Sequence, residues 1–240
     1  MGDETVVLAV RGSLIAPEAV DTEFLEGFRT VLIRHVEAGR RFVCVCGGGE
    51  VARIYQRALA SLGCTSTEAQ DNVGIRTTKL NAQLLIEALN VEGAYAHPDV
   101  FNEGDYDRLG AGDDAIDFES YPIVVASGWK PGRSIDHCAV TISKTNGIRR
   151  IVKLSDIDYI YNRDPDQYSI VKPLGHLGWH KLKGLIPDHW EPGAHLPFDP
   201  RAIEAAEGTD LSLAVINGHY LDEVERCLDG KSFIGSLVEG

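Results

Sequence analysis

Three glycine-bearing turns follow directly on apolar runs: Arg11, Gly12 and Ser13 after "TVVLAV", Gly47 to Gly49 with Arg53 after "RFVCVC", and "SGWKPGRSID" (127–136) at the end of "YPIVVAS". Glycine lets backbone N–H groups approach an anion closely, and a helix that starts at the turn adds the positive end of its dipole. Arg53, Lys130 and Arg133 bring cationic side chains to the turns, and Asp136 is suited to organising cations there. These residue types suit the handling of phosphate groups, a chemistry that needs positioning and charge neutralisation more than covalent participation. One glycine after a strand is ordinarily a turn. Its recurrence after three strands gives the pattern its weight. Neither G-x-x-x-x-G-K-[ST] nor a G-x-G-x-x-G in the first strand-to-helix turn is present.

Such turns need strands to end on them and helices to start from them. "TVVLAV" (5–10), "RFVCVC" (41–46), "YPIVVAS" (121–127), "IRRIVKLSD" (148–156), "LSLAVING" (211–218) and the closing "IGSLVEG" read as strands, the last as an edge strand. Residues 21–39, 50–63 with Gly63 as the stop, 74–90, 197–208 and 220–230 read as helices. This alternation predicts an α/β fold, an αβα sandwich with a mostly parallel central sheet. Ligands in such sheets bind at the carboxyl ends of the strands, where the three turns fall. No repeat or low-complexity linker divides the 240 residues. We read a single domain over 1–240 with two lobes, 1–145 and 146–240, and a proline-rich loop region over 160–200.

The formal charge of −13 argues against nucleic acid as a main partner, which a basic face would attract. A small phosphate ligand in a local basic cleft remains compatible with it. No apolar stretch approaches the roughly 18 residues of a membrane span, and the opening "MGDETVVLAV" lacks the basic region of a secretory signal. The five cysteines, Cys44, Cys46, Cys64, Cys138 and Cys227, show no zinc-type spacing. They read as reduced thiols of a cytoplasmic protein, with Cys44 and Cys46 on one face of a strand. His176, His180, His189 and His195 read as ordinary loop histidines with no metal between them, and Trp179 and Trp190 as packing residues. The acidic segment 103–114 reads as solvated surface.

Taken in order over nearly the whole chain, the motifs resemble those of the amino-acid-kinase superfamily, and within it the UMP (uridylate) kinases, most closely their archaeal-type branch. "VVLAVRGSLIAPE" (6–18) is similar to the opening strand and "GGS" turn of that family, and "CGGGEVARIY" (46–55) to its "VGGGxxARxY". "DNVGIRTTKLNAQLLIEAL" (71–89) resembles its "DxxGIxxTRxNAxLLIxAL", "GWKPGRSIDHCAV" (128–140) its "GTxPGxTTDxVAA", and "LSDIDYIYNRDP" (154–165) its "xTNVDGVYxxDP". "FDPRAIEAA" and the closing "VINGHYLDEVERCLDGKSFIGSLV" match the end of the pattern.

The resemblance implies transfer of the ATP γ-phosphoryl group to UMP, with Mg²⁺ accompanying ATP, in a homo-oligomer that is hexameric by analogy. It assigns lobe 1–145 to the phosphate acceptor and lobe 146–240 to ATP. Gly12 and Ser13 would contact ATP phosphates, Gly48 would face UMP, and Gly49 with Arg53 would meet the phosphates between the substrates. Asp71 would hold the ribose or base side of UMP, and Lys130, Pro131, Gly132, Arg133, Ser134, Ile135 and Asp136 would wrap its phosphate. Ser155, Asp156, Tyr161 and Asp164 would line the ATP nucleoside pocket, with Asp136, Arg53 and Arg11 nearest the chemistry.

Several positions depart from the pattern. Ala9 stands where many relatives carry a lysine, Arg11 replaces the first turn glycine, Trp129 a threonine, Ile135 a hydroxyl residue and Tyr159 a glycine. Arg11 either adds a phosphate ligand or fills the site. Trp129 would add bulk or a stacking surface near the acceptor. Two alternatives therefore stand beside the kinase: a homologue that binds nucleotide or another oxyanion for storage or regulation without catalysis, and a kinase of the superfamily with a different acceptor, such as a carboxylate or isopentenyl phosphate.

Overall fold

The strands β1 (Thr5–Val10), β2 (Arg41–Cys46), β3 (Ile123–Ser127), β4 (Arg150–Ser155) and β8 (Ser212–Asn217) are short apolar runs, and their central residues are fully buried. The computed structural model describes residues 5–102, 105, 118, 120–165, 167–186 and 196–240. These five strands pair in parallel in the order β3-β2-β1-β4-β8. Parallel pairing requires helical crossovers on both faces, so both faces are apolar. Val7, Ala9, Val43, Val45, Val124 and Ile151 point to one core. Val6, Leu8, Phe42, Cys44, Val125 and Leu154 alternate with them and point to the other.

Helices α2 (Thr22–Glu37), α4 (Thr67–Leu89) and α8 (Leu221–Leu228) cover the second face, while α5 (Ile135–Asn146), α6 (Trp179–Lys183) and α7 (Pro200–Ala206) cover the first. The short α1 (Gly12–Ile15) and α3 (Gly49–Ser61) start from the first two glycine turns. Side chains cap the starts: Asp21 accepts from Phe24 N–H, Ser66 from Ala69 N–H, Ser134 from His137 N–H and Asp199 from Arg201 N–H. The Ser66 cap starts α4 at Thr67, seven residues before the expected 74.

The αβα sandwich and the largely parallel sheet are as expected. The C-terminal strand is a correction. β9 (Ser236–Glu239) runs antiparallel to β8 and is covered on its other side by β7 (His176–Gly178), so it is not an edge. The region expected to be loop contains β7, α6 and a small antiparallel pair, β5 (Ile160–Tyr161) with β6 (Pro173–Leu174). All five cysteines are free thiols, and Cys44 and Cys46 are buried on one face as expected. Burial pushes the Cys46 thiol up to about 12.

Candidate active site

The first two glycine turns interlock at the carboxyl ends of β1 and β2. A Cβ on Gly12 would stand 2.1 Å from the backbone nitrogen of Gly49 and 2.6 Å from the Gly47 carbonyl carbon, so only glycine fits. Gly49 adopts φ +64°, a left-handed conformation that favours glycine. The close approach brings the start of α1 against the start of α3, and Gly12, Ser13, Gly48 and Gly49 line one cleft.

One face of α4 holds these turns in place. The Asn81 amide donates to the Gly47 carbonyl at 2.7 Å. The Thr78 hydroxyl accepts from Gly128 N–H at 3.0 Å while donating to its own helix at Ile75. The Asp71 carboxylate accepts from Gly132 N–H at 2.7 Å. Residues 71, 78 and 81 recur at helical spacing, which is why one helix reaches two turns. Gly132, at φ +75°, is held from the other side by Arg201, whose guanidinium donates to its carbonyl at 2.9 Å.

The cleft between the turns has a volume of about 320 Å³. Its walls include the sequence-expected Arg11, Gly12, Ser13, Gly48, Gly49, Arg53, Asp71, Lys130, Arg133, Ser134 and Ile135. Gln56, Ile75 and Thr78 line it as well and were not singled out in the sequence. Pro131 and Gly132 belong to the same loop, whose turn is closed by Arg133 N–H donating to the Lys130 carbonyl. The cleft is cationic, but two of its arginines are engaged. Arg53 donates to Glu50 at 2.6 Å and Arg57 donates to the other oxygen at 2.5 Å. These hydrogen bonds, the Arg57 one foremost, hold the Glu50 carboxyl below its usual range. Arg11 lies 2.9 Å from the Asp156 carboxylate.

A second, smaller cleft of about 180 Å³ adjoins the first, and Arg11, Ser134 and Ile135 line both. Asp136 faces this one, with its Oδ2 accepting from the Lys153 ammonium at 2.7 Å and from Asp199 N–H at 3.0 Å. Ser134 donates to the Asp199 carboxylate. Lys153 was missed in the sequence. The available signal was a lone lysine inside the apolar "RIVKLS", since a charge in a fully buried strand needs a partner.

On the β4 side, Ser155 is buried at the strand end, with Asp156 beside it on Arg11. Tyr161 stands in β5 with its ring edge-on to Tyr159, at an interplanar angle of 74° with centroids 6.5 Å apart. Burial and then the nearby Asp158 raise the Tyr161 phenol above its ordinary range. Asp164 is exposed, accepts from Gln167 in a turn, and lines neither of these two clefts. Trp129, between the cleft residues Gly128 and Lys130, is half-buried and packs against the first core. Trp179 is buried with its indole N–H on the Leu211 carbonyl, as a packing residue. His176 on β7 and His180 on α6, rather than on a loop, are exposed and hydrogen-bond to the carboxylates of Glu239 and Glu207. His189, Trp190, His195 and, apart from Asp105, the acidic segment 103–114 lie outside the described residues.

Known proteins resemble this arrangement. A model of the amino acid kinase family matches residues 4–217. A uridylate kinase of Hyperthermus butylicus is 30% identical over 238 residues, covering 98% of each chain. That of Staphylothermus marinus is 28% identical over 217 residues, covering 90% of this chain and 89% of its own. Among solved structures, a uridylate kinase from Archaeoglobus fulgidus superposes with a TM-score of 0.80 at 24% identity, covering 97% of this chain and 99% of that one. A UMP kinase from Bacillus anthracis gives 0.78 at 16% identity, covering 100% and 97%. At these identities the two structures speak for the fold.

Proposed function

The chain belongs to the amino acid kinase family, on its uridylate kinase side, and from that premise we propose that it transfers the γ-phosphoryl group of ATP to UMP, giving ADP and UDP. The observation that carries this reading is the cleft itself. Two interlocked glycine turns face a loop with Lys130 and Arg133, and one helix positions both sides. Backbone N–H groups at Gly12 and Ser13 would hold ATP phosphates. Gly48 and the loop from Lys130 to Asp136 would hold the UMP phosphate, with Asp71 on its nucleoside side. Gly49 and Arg53 would sit between the two, and Ser155, Asp156, Tyr161 and Asp164 would flank the ATP nucleoside.

The acceptor phosphate oxygen attacks the γ-phosphorus in line. One P–O bond forms, the bond to the β,γ-bridging oxygen breaks, and its electron pair leaves with ADP. The protein's work is to align the two phosphates and offset their charge. A divalent cation, Mg²⁺ in this proposal, would arrive with ATP and supply further charge neutralisation. Among the described residues no group of three or more His, Cys, Asp or Glu is placed to hold a metal unaided. Asp136 Oδ1 fits such a cation, being buried without a protein partner.

A cytoplasmic homo-oligomer, hexameric by resemblance, belongs to the same proposal. Free cysteines suit a reducing compartment. Exposed Ile54, Tyr55 and Leu62 along α3 suit a subunit contact. Among the described residues no helix is long and apolar enough to cross a membrane. The Arg11–Asp156 ion pair keeps the second reading alive, a chain that binds nucleotide or another oxyanion without transfer. Mixing the protein with ATP, Mg²⁺ and a panel of nucleoside monophosphates and following ADP and UDP separates the two. UDP formation is expected. Stabilisation by ATP without turnover on any acceptor would favour the binder.

A further inference from the structure

Lys153 and Asp136 form a buried ion pair that structural need does not account for. Both side chains are only 7% exposed, and Nζ lies 2.7 Å from Oδ2. A buried ion pair is weak support for stability, since apolar residues of similar volume commonly do as well. The neighbours of Lys153 in β4 are apolar, and its ammonium rests 5.3 Å from the centre of the Phe198 ring. A purely structural pair would also be fully satisfied. Here Asp136 Oδ2 accepts two hydrogen bonds while Oδ1, equally buried, has no partner. Asp136 is the only hydrogen-bond acceptor of the Lys153 ammonium among the described residues, which leaves donors unused.

The location gives these unused groups a direction. Lys153 lines the smaller cleft together with Arg11, and Arg11, Ser134 and Ile135 are the wall shared with the larger one. The pair therefore sits where the two clefts meet. Its register partner on β1 is Ala9, directly across the ladder and on the same face of the sheet, so the described strands place no second cation there.

Building on the kinase reading, we propose that Lys153 is a catalytic residue for the phosphoryl group in transit. With the clefts empty its ammonium is held by Asp136. With ATP bound it turns a free donor toward the γ-phosphoryl oxygens, and with Arg11 it offsets the charge that develops on them. No proton moves when the acceptor phosphate is dianionic. Lys153 makes no covalent bond and leaves the cycle unchanged.

The test compares two nucleotides that differ at the γ-position. Dissociation constants for ADP and for the ATP analogue with an imido β,γ-bridge are measured calorimetrically with Mg²⁺ on the wild type, Lys153→Met and Lys153→Arg, alongside UMP kinetics. Lys153→Met is expected to weaken the ATP analogue by about tenfold or more while ADP changes by less than about twofold, because a charge-assisted contact is lost only at the γ-phosphate. Turnover should fall by about 100-fold or more, with the UMP KM within about threefold. Lys153→Arg should keep the preference for the ATP analogue. Equal losses for both nucleotides, or none, overturn the proposal.

If the wild type turns over no nucleoside monophosphate, the kinase reading falls, yet the nucleotide comparison still decides for or against Lys153. Should Lys153→Met not fold, the double variant D136N/K153M removes both buried charges and gives the same comparison. The double variant A9K/K153A moves the ammonium one strand over. Partial recovery of turnover relative to Lys153→Ala is expected, and recovery of stability alone would count against the proposal.

Discussion

The Asp71 carboxylate accepts the backbone N–H of Gly132 at 2.7 Å, so α4 fixes the loop after β3 that carries Lys130 and Arg133. The same helix fixes the second glycine turn through Asn81 and the Gly47 carbonyl. The two walls of the cleft are therefore spaced by one rigid element, and disturbing either contact changes the gap into which a phosphate must fit.

Asp71→Ala should act on the acceptor side. Losing a charge-assisted hydrogen bond is worth about 1.5–3 kcal/mol, so the UMP KM is expected to rise between about 10- and 100-fold. The ATP KM should change by less than about threefold, because Gly12 and Ser13 are not held by Asp71. Steady-state kinetics with each substrate varied in turn gives the comparison. Equal effects on both would mean that Asp71 supports the whole domain rather than the acceptor loop.

Gly12→Ala should fail structurally. The new methyl would stand 2.1 Å from Gly49 N and 2.6 Å from the Gly47 carbonyl, and all of these atoms are backbone. Overpacking of this kind costs about 1–3 kcal/mol where the backbone can shift. A lowered melting temperature and loss of turnover are expected together. Gly63→Ala is the contrast: unlike Gly12, Gly63 is at positive φ, but nothing lies near its Cβ position. It should cost only the strain of its backbone conformation and leave turnover intact.

The fold was largely legible because its signals are local. Apolar runs alternate with helical periods, and the glycines fall where strands end. The three turns could be found for the same reason. What escaped depends on partners distant in the chain. Lys153 becomes informative only beside Asp136, seventeen positions away, and Asp199 N–H, which reaches the same carboxylate from 63 positions on. Arg11 left two readings open in sequence. The structure adds Asp156, which lies on a different strand end, as its partner. For Trp129, position alone does not say which way a side chain leaves a turn, and the structure adds its packing against the core. β9 reads as an edge in the sequence because the strand that covers it, β7, is only three residues long and begins with an exposed histidine.

The Arg11–Asp156 pair should tune ATP binding. Asp156 competes with phosphate for the guanidinium, and a partly exposed ion pair contributes only about 0–1 kcal/mol, little enough for a phosphate to displace it. Arg11→Ala is expected to weaken ATP by about tenfold, while Asp156→Ala, judged by calorimetry, leaves ATP binding equal or tighter. If Arg11→Ala instead tightens ATP, Arg11 fills the site rather than serving it.

Ile135→Thr should improve the acceptor. Ile135 reaches both clefts while its other side packs on the core. A hydroxyl there adds one donor at the cost of apolar contact. A net gain of about 1 kcal/mol in phosphate binding corresponds to a UMP KM lower by about fivefold, with a small fall in melting temperature. An unchanged or raised KM would show that the isoleucine does not limit acceptor binding.

Acid should weaken the fold through two histidines before most carboxylates titrate. His35 is buried with its ring edge-on to Phe42 and its Nε2 4.0 Å from Asp229. Burial first, then Arg40, lowers its pKa from 6.5, against the opposing pull of Asp229 and Glu225. His137, whose Nδ1 is buried without a partner, is lowered by burial and then by Arg133. In both cases the unfolded chain takes up the proton first. Stability is therefore fully present above pH 6.5, the unfolded value, and is lost as the pH falls through the lower folded-state values. Melting temperatures recorded from about pH 7.5 down to about pH 5.5 should decline, and the decline should flatten in the His35→Gln, His137→Gln double variant. An identical decline in that variant would assign the acid sensitivity to other groups.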